Sequence, residues 1–177
     1  IIESELGKPV DEIFKQFDRT PYASASVAQV HFAVMPNGDE VAVKVLRPGI
    51  EEVIERDIKL LYSLANLALR FSSQAKRLRP VEVVDQFRRT LHDELDLRRE
   101  AANASQLKAN FEDSDLLYVP RVDWDHTRRR VFVMERISGI HISDMDGLNE
   151  AGIDLRQLAH NGVEIFLTQA FRDGFFH

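Results

Sequence analysis

A single lysine, Lys44, ends the short apolar run that begins at Val41. Alanine and serine fill residues 23–26 upstream, and a carboxylate-rich stretch, Glu94–Glu100, follows within a long helical pattern. A strand lysine, a loop of small side chains and a carboxylate that orients the lysine can together form a clamp for nucleotide phosphates. The same run also fits a half-buried strand whose lysine points into water, so by itself it leaves both interpretations open.

Alternation along the strand determines the direction in which Lys44 points. Successive side chains of a β-strand project to opposite faces, so Val41, Val43 and Val45 share one face and Lys44 lies on the other. If the small-residue loop covers that second face, the lysine becomes a desolvated cation whose natural partner is a phosphate.

Three carboxylates on the following helical pattern are candidates to orient Lys44. On one continuous helix Asp96 and Glu100 share a face, whereas Glu94 lies about 120° from Glu100. The two glutamates therefore cannot both face the lysine, and one pairs with it while the other meets a metal or a second cation. A solvated surface of ion pairs is the alternative, because neighbouring arginines provide partners at helical spacing.

The composition is that of an ordinary globular domain, with 44% hydrophobic and 29% charged residues over 177 positions. A net charge of -6 argues against a nucleic-acid partner, which would require a basic face. The absence of cysteine excludes disulfides, thiolate zinc sites and cysteine nucleophiles. The histidines lack metal-binding spacing, and no apolar run is long enough to predict a membrane span.

Turn signals and alternation of apolar residues predict two hairpins. Val27–Val34 and Glu40–Leu46 flank a turn at Asn37, and Tyr118–Val122 and Arg130–Met134 flank a polar connection. The first hairpin carries the clamp lysine, and the small-residue loop lies at its start.

Helical spacing of apolar residues predicts long helices over 50–75 and 80–111, with the pattern of the first extending over Ile50–Phe71. Shorter helices are predicted over Pro9–Phe17 and Asp154–Arg172. Strands and helices in this irregular order are typical of an α+β fold.

Five segments resemble, in order and spacing, the UbiB family of atypical protein-kinase-like proteins. They are Tyr22–His31, Val41–Pro48, Glu94–Asn103, Val133–Gly139 and Phe171–His177. The resemblance implies a kinase-like N-lobe over 1–137, an antiparallel sheet with long inserted helices. It also implies a hinge and the first C-lobe helix over 138–177, with the chain being a fragment.

The resemblance implies which residues bind a nucleotide. A loop rich in alanine takes the place of the kinase glycine-rich loop, Lys44 contacts phosphate, and the backbone of Met134 and Glu135 contacts adenine. The loop consists of Tyr22, Ala23, Ser24, Ala25, Ser26, Val27, Ala28, Gln29 and Val30. Because alanine lacks the φ freedom of glycine, this loop is stiffer, which fits ATP hydrolysis better than protein phosphorylation.

The carboxylates also acquire roles from the resemblance. Glu100 matches the glutamate that pairs with the lysine, and Glu94 and Asp96 match the family's E-x-D signature, with a lysine-pairing or regulatory role. The implied cofactors are ATP and magnesium.

Two family features are not found within the chain. The K-x-G-Q segment has no counterpart in Ile1–Gly7 and is expected upstream. His177 matches the histidine that opens the catalytic loop, so the catalytic aspartate is expected two residues later. The resemblance therefore assigns no catalytic or metal-binding residue to this chain, and the fragment alone is expected to be inactive.

For the full-length parent, the resemblance implies an ATP-dependent kinase-like enzyme, or ATPase, that supports ubiquinone biosynthesis. It is expected on the cytoplasmic face of the bacterial inner membrane, with lipid quinone precursors and ubiquinone-biosynthesis proteins as partners. The fragment itself is expected to be soluble. The alternative is a non-enzymatic, pseudokinase-like scaffold that binds lipid intermediates or biosynthetic partners.

Overall fold

The structure is a computed structural model that describes residues 1–71 and 75–175. Its strands are β1 (Gln16–Phe17), β2 (Ala23–Ser24), β3 (Ala28–Val34), β4 (Glu40–Leu46), β5 (Val122–Arg128) and β6 (Val131–Glu135). Its helices are α1 (Ile2–Leu6), α2 (Val10–Ile13), α3 (Ile50–Phe71), α4 (Ala75–Leu78), α5 (Pro80–Glu94), α6 (Leu97–Asn110), α7 (Met145–Glu150) and α8 (Leu155–Leu167), which a π-helical turn, Thr168–Asp173, extends. The predicted α+β class is confirmed.

The strands form one antiparallel sheet in the order β1-β3-β4-β6-β5, with β2 also paired to β3. Strand β4 lies at the centre, and Lys44 is opposite Val30 of β3 and Phe132 of β6. The tight turn between β3 and β4 is the predicted one. Gly38 has a φ of 95° there, a conformation that glycine adopts without steric cost.

Different parts of the chain cover the two faces of the sheet. On one face, Val43 and Val133 are fully buried with Ile13 and Phe14 of the N-terminal segment. On the other face, the sheet packs with helices α3, α5 and α6. This second core contains Ala28, Leu46, Ile54, Ile58, Ala65, Val84, Leu95, Leu97, Ala101 and Phe132. The alternation of β4 thus separates its valines from the face that carries Lys44.

The prediction of one helix over 80–111 is wrong, because this segment forms two helices. Helix α5 ends before Leu95 and α6 begins at Leu97, where the Asp96 side chain accepts a hydrogen bond from the backbone N–H of Arg98 (3.1 Å). Leu95 and Leu97 are both almost fully buried. One continuous helix would place them about 200° apart, so the break lets both enter the same core.

The predicted second hairpin is displaced along the chain. A strand over Tyr118–Val122 is wrong, because β5 runs through the segment expected to be a polar connection. Pro120 lacks a backbone N–H for a ladder, whereas an edge strand such as β5 tolerates polar side chains that face water. Strand β6 ends at Glu135 rather than at Met134. The turn between β5 and β6 consists of Arg129 and Arg130.

The predicted helix over Pro9–Phe17 is too long. Only α2 (Val10–Ile13) is helical, and the last two residues of the segment form β1. Phe14 leaves the helix in an extended conformation and is buried beneath the sheet. The helix predicted over Asp154–Arg172 is observed as α8 and its π-helical extension, and Asp154 caps it by accepting two backbone N–H bonds.

The predicted helix over 50–75 is observed as α3, which ends at Phe71. Residues 72–74 lie outside the described part of the chain, and Ala75 is the first residue of the next described helix, α4. Helices α1 and α7, of five and six residues, are not predicted from the sequence. Of the helices in the described ranges, none combines the length and apolar character needed to cross a bilayer.

Candidate functional site

Lys44 and Glu100 form an ion pair in which both carboxylate oxygens take part. The Lys44 Nζ donates to Oε1 and to Oε2 of Glu100 at 2.7 Å each. Since an ammonium group has three N–H donors, one remains for a ligand. The side chains of Lys44 and Glu100 are 25% and 32% exposed, so the pair is partly desolvated and still reachable.

Helix α6 brings Glu100 to the sheet because the first turn of the helix is anchored on both sides. Leu97 and Ala101 are buried in the core between helix and sheet. The backbone N–H of Leu97 also donates to the carbonyl of Arg129 in the β5–β6 turn, at 2.9 Å. Glu100 lies three residues after Leu97 and therefore on nearly the same side of the helix.

Asp96 stabilises the start of α6. Its carboxylate receives the Nη2 of Arg98 at 2.6 Å as well as the backbone N–H of Arg98. The hydrogen bonds from the Arg98 side chain hold the pKa of Asp96 below its ordinary value. Asp96 thus acts one turn before Glu100, as a helix cap rather than as a partner of the lysine.

Glu94 is exposed at the end of α5. Within the described residues, no hydrogen bond or ion pair joins the carboxylate of Glu94 to another group, and none joins Asp96 to Lys44. The alternative that the sequence leaves open is therefore decided in favour of Glu100 as the neighbour of Lys44. The angular argument assumed one continuous helix, whereas the structure divides this segment into α5 and α6.

The small-residue loop forms the tip of a tight hairpin between β2 and β3. Ala23 pairs with Val30, and the N–H of Ala25 donates to the carbonyl of Ala28 at 2.9 Å. Arg47, just after β4, donates from its Nε to the carbonyl of Ala25 at 2.9 Å. The structure thus ties the tip to the end of the strand that carries the lysine.

Backbone conformation explains how this tip forms without glycine. None of the nine residues from Tyr22 to Val30 has a positive φ, so alanine and serine fit without strain. Among the described residues, no hydrogen bond uses the amide N–H of Ser26 or Val27 at the tip. Free backbone amides of this kind are suited to bind phosphate oxygens.

The segment predicted to contact adenine lies at the end of β6. Met134 is opposite Ala42 in the ladder and therefore lies on the same sheet face as Lys44. The carboxylate of Glu135 is held by the hydroxyl of Tyr118 at 2.6 Å, and this hydrogen bond lowers the pKa of Glu135. The Glu135 side chain is thereby occupied away from the lysine.

Two residues that the sequence does not single out also belong to this face. Phe32 is opposite Ala42, so it shares a face with Lys44, and its ring lies 4.3 Å from that of Tyr22. The guanidinium of Arg136 lies 4.0 Å from the centroid of the Phe32 ring. Strand alternation applied to β3 could have identified Phe32, whereas the position of Arg136 depends on how the chain leaves β6.

A cavity of about 890 Å³ lies apart from Lys44, at the end of the sheet beside β5. Its lining includes Asp39, Arg121, Trp124, Glu135 and Arg136. Most of these charged groups already have partners, such as Arg121 with Asp39 at 3.5 Å. The cavity adjoins the hinge segment but does not contain the lysine pair.

No metal centre is formed by the residues that the structure describes. Within 1–71 and 75–175, no three His, Asp or Glu side chains come together closely enough to hold an ion. His177, the predicted catalytic-loop histidine, lies outside the described residues. The placement of magnesium ligands beyond this chain stays a prediction.

A central lysine strand, a helix glutamate that meets it and a hairpin of small residues beside it define a kinase-like N-terminal fold. The chain belongs to the ABC1 atypical kinase-like domain family, whose profile matches residues 1–177. This match confirms the resemblance inferred from the five sequence segments.

Curated relatives carry the description "Probable protein kinase UbiB". The protein from Marinobacter nauticus is 60% identical over 177 residues, which cover 100% of this chain and 32% of the relative. The one from Pseudomonas aeruginosa strain LESB58 is 57% identical over 176 residues, which cover 99% of this chain and 33% of the relative. The chain thus spans about a third of the length of these relatives.

A solved structure supports the same fold. The complex of Rv3197 with erythromycin from Mycobacterium tuberculosis matches with a TM-score of 0.68 and 34% sequence identity. The match covers 79% of this chain and 34% of that one. The likeness therefore concerns the domain described above and a minor part of the larger protein.

Proposed function

We propose that this chain is the nucleotide-binding lobe of an atypical kinase-like ATPase, and that Lys44 binds the phosphates of ATP. The observation that carries the proposal is the contact between Lys44 and both oxygens of Glu100, in the sheet that also contains the small-residue hairpin. A glutamate that fixes a strand lysine leaves its remaining donor in a defined direction, as phosphate binding requires.

The proposed position of ATP follows from the groups on one face of the sheet. The phosphates would lie between the third donor of Lys44 and the free amides of Ser26 and Val27. Adenine would meet the backbone after Met134, near the ring of Phe32. Magnesium would neutralise phosphate charge, and we propose that its ligands come from outside these residues.

The activity is proposed to be ATP hydrolysis or kinase-like transfer by the full-length protein, in support of ubiquinone biosynthesis. The description of the curated relatives as probable protein kinases named UbiB supports this assignment. Lipid quinone precursors and ubiquinone-biosynthesis proteins are the proposed partners. The proposed location of the full-length protein is the cytoplasmic face of the bacterial inner membrane.

Removal of the Lys44 amine tests the nucleotide site. Nucleotide at one hundred times its Kd should stabilise the full-length protein by about 2.7 kcal/mol, and Lys44→Ala should abolish most of this gain. The measurement is the change in melting temperature on addition of ATP and magnesium, relative to the same variant without nucleotide. This reference removes any effect of the substitution on the free protein.

Lys15→Ala is the matched control, because Lys15 is an exposed lysine just before the edge strand β1 and is not among the groups proposed to bind ATP. It should keep the full ATP-dependent shift. An equal shift in Lys44→Ala and in the parent protein would contradict the assignment of Lys44 as the phosphate-binding residue.

A further inference from the structure

Helix α3 has two apolar stripes, and the described residues bury only one of them. Ile54, Ile58 and Ala65 are buried in the second core. A second stripe lies about 130° around the helix and is exposed to solvent. It consists of Leu60 (60% exposed), Leu64 (52%), Leu67 (50%) and Phe71 (83%). Four large apolar side chains in helical register are more than the scattered exposed residues of an ordinary surface.

Helix α5 adds apolar side chains to the same side. The hydroxyl of Tyr62 donates to Asp85, and His92 meets Glu55 at 2.7 Å, so α3 and α5 run antiparallel with these polar contacts along one edge. On each helix the exposed apolar residues lie on the opposite side from its polar contacts. Both sets therefore share one edge of the helical hairpin. On α5 this set consists of Val83 (60% exposed) and Phe87 (47%).

Charge is segregated along the same hairpin. From Lys59 to Val81 the sequence contains basic residues and no acidic residue, although the whole chain has a net charge of -6. The basic residues are Lys59, Arg70, Lys76, Arg77 and Arg79. All of them are exposed, and Arg79 alone has an ion-pair partner within the described residues, Glu82 at 3.2 Å.

Arg129 and Arg130, at the β5–β6 turn, differ from these residues because both have ion-pair partners. Arg130 pairs with Glu5 of α1 at 2.8 Å, and Arg129 pairs with Glu51 of α3 at 2.9 Å. These two arginines therefore join the β5–β6 turn to helices α3 and α1. Arg70, Lys76 and Arg77, by contrast, have no ion-pair partner within the described residues, and they lie at the distal end of the hairpin beside its apolar edge.

We propose that the distal half of the α3–α5 hairpin is a docking surface for an anionic lipid bilayer. Leu64, Leu67 and Phe71 would enter the interface between headgroups and acyl chains, and the basic residues from Arg70 to Arg79 would contact lipid phosphates. An apolar face with basic residues at its border is the pattern of helices that lie in the plane of a membrane. Charge complementarity favours this occupant over a second copy of the chain, whose matching face would be equally basic.

The geometry fits a helix that lies on the bilayer and does not cross it. Lys59, Ser63 and Asn66 occupy the polar side of α3, which would stay in water. The proposal does not depend on the nucleotide site, because Lys44 lies on β4 and contributes nothing to this edge. Failure of either proposal would leave the other unaffected.

Vesicle binding by the 177-residue chain tests the surface. The chain should bind vesicles of phosphatidylcholine with 30 mol% phosphatidylglycerol and should dissociate as salt is raised. The triple variant Lys76→Gln, Arg77→Gln and Arg79→Gln should bind about 100-fold more weakly, because each basic residue near an anionic surface strengthens binding about fivefold. Leu64→Gln with Leu67→Gln should weaken binding at low salt as well.

The matched control is Lys8→Gln, Lys15→Gln and Arg19→Gln, which makes the same change of charge at exposed residues of the N-terminal segment, outside the hairpin. It should bind like the parent chain. Far-UV circular dichroism and thermal unfolding of each variant verify that weak binding does not arise from loss of structure.

Several outcomes would overturn the proposal. These are no binding to the anionic vesicles, equal binding to pure phosphatidylcholine, or equal loss of binding in the control variant. A dimer in sedimentation that Leu64→Gln with Leu67→Gln converts to monomers would instead assign this edge to self-association. Protection of Leu67→Cys from thiol labelling in the full-length protein without vesicles would assign it to another segment of the same polypeptide.

Discussion

At the scale of single residues, the site depends on two carboxylates with different roles, one at the N-cap of α6 and one in its first turn. Glu100 holds Lys44 directly, and Asp96 fixes the first turn of the helix that carries Glu100. A cap and an ion pair one turn apart give the glutamate a defined position without placing a second charge beside the lysine. Asp96 is therefore a positioning residue.

The ion pair of Asp96 predicts a pH dependence of stability. Arg98 lowers the folded-state pKa of Asp96 below its value in the unfolded chain, which is about 3.9. The resulting stability is present above that unfolded pKa and is lost as the pH falls through the folded pKa. Asp96→Asn keeps a good N-cap and removes the charge, so near neutral pH it should reduce the free energy of unfolding by less than about 1 kcal/mol.

Urea unfolding of the parent chain and of Asp96→Asn at about pH 7 and about pH 3 checks this prediction. The difference between the two should shrink at the lower pH. Asp93→Asn is the control, because Asp93 pairs with Arg99 at a more exposed position and caps no helix. A difference for Asp96→Asn that stays constant between the two pH values would contradict the role assigned to its charge.

At the scale of secondary structure, the break between α5 and α6 is what lets the lysine meet its glutamate. Leu95 and Leu97 are buried on either side of Asp96, and they could not both face the core from one helix. The break also redirects α6, so that its first turn meets both the sheet and the carbonyl of Arg129. Helix packing therefore sets the position of the site.

Truncation of Leu97 tests how much the burial of this side chain contributes to the stability of the domain. Leu97→Ala should reduce the free energy of unfolding by about 2–5 kcal/mol, since it removes buried methyl groups and leaves a cavity. Leu60→Ala makes the same chemical change at a residue that is 60% exposed, and should cost less than about 0.5 kcal/mol. Urea unfolding measures both, and equal losses would contradict the packing described for α6.

At the scale of the whole molecule, the N-terminal segment and the helices act on opposite faces of one sheet. Ile13 and Phe14 bury the valine face, while α3, α5 and α6 bury the lysine face. The Glu5–Arg130 ion pair joins α1 to the β5–β6 turn across 125 residues of sequence. The strand that carries Lys44 is thereby held from both sides.

Loss of the Phe14 ring should weaken the whole domain, although this residue is far from the proposed nucleotide. Phe14→Ala should reduce the free energy of unfolding by about 3–5 kcal/mol, because the ring is 2% exposed. Phe71→Ala removes the same ring at an 83% exposed residue and should leave the stability nearly unchanged in solution. Similar urea midpoints for Phe14→Ala and the parent chain would contradict the role of the N-terminal segment.

Local signals in the sequence account for the β3–β4 hairpin and for the existence of the long helices. The turn at Gly38 and the alternation along β4 are properties of neighbouring residues, so they survive without tertiary context. The position of β5 could not be predicted from neighbouring residues alone. Its polar side chains are acceptable only because it lies at the edge of the sheet, which depends on the whole topology.

The amino-acid sequence alone determined the family, the α+β class, the face on which Lys44 lies and the small set of carboxylates that could meet it. Tertiary structure decided that Glu100 meets the lysine, that Asp96 caps a helix and that Phe32 and Arg136 lie on the same side of the sheet. The physical reason is distance along the chain. Alternation and helical spacing act over a few residues, whereas Lys44 and Glu100 are 56 residues apart and meet only because burial of Leu95 and Leu97 breaks the helix between them.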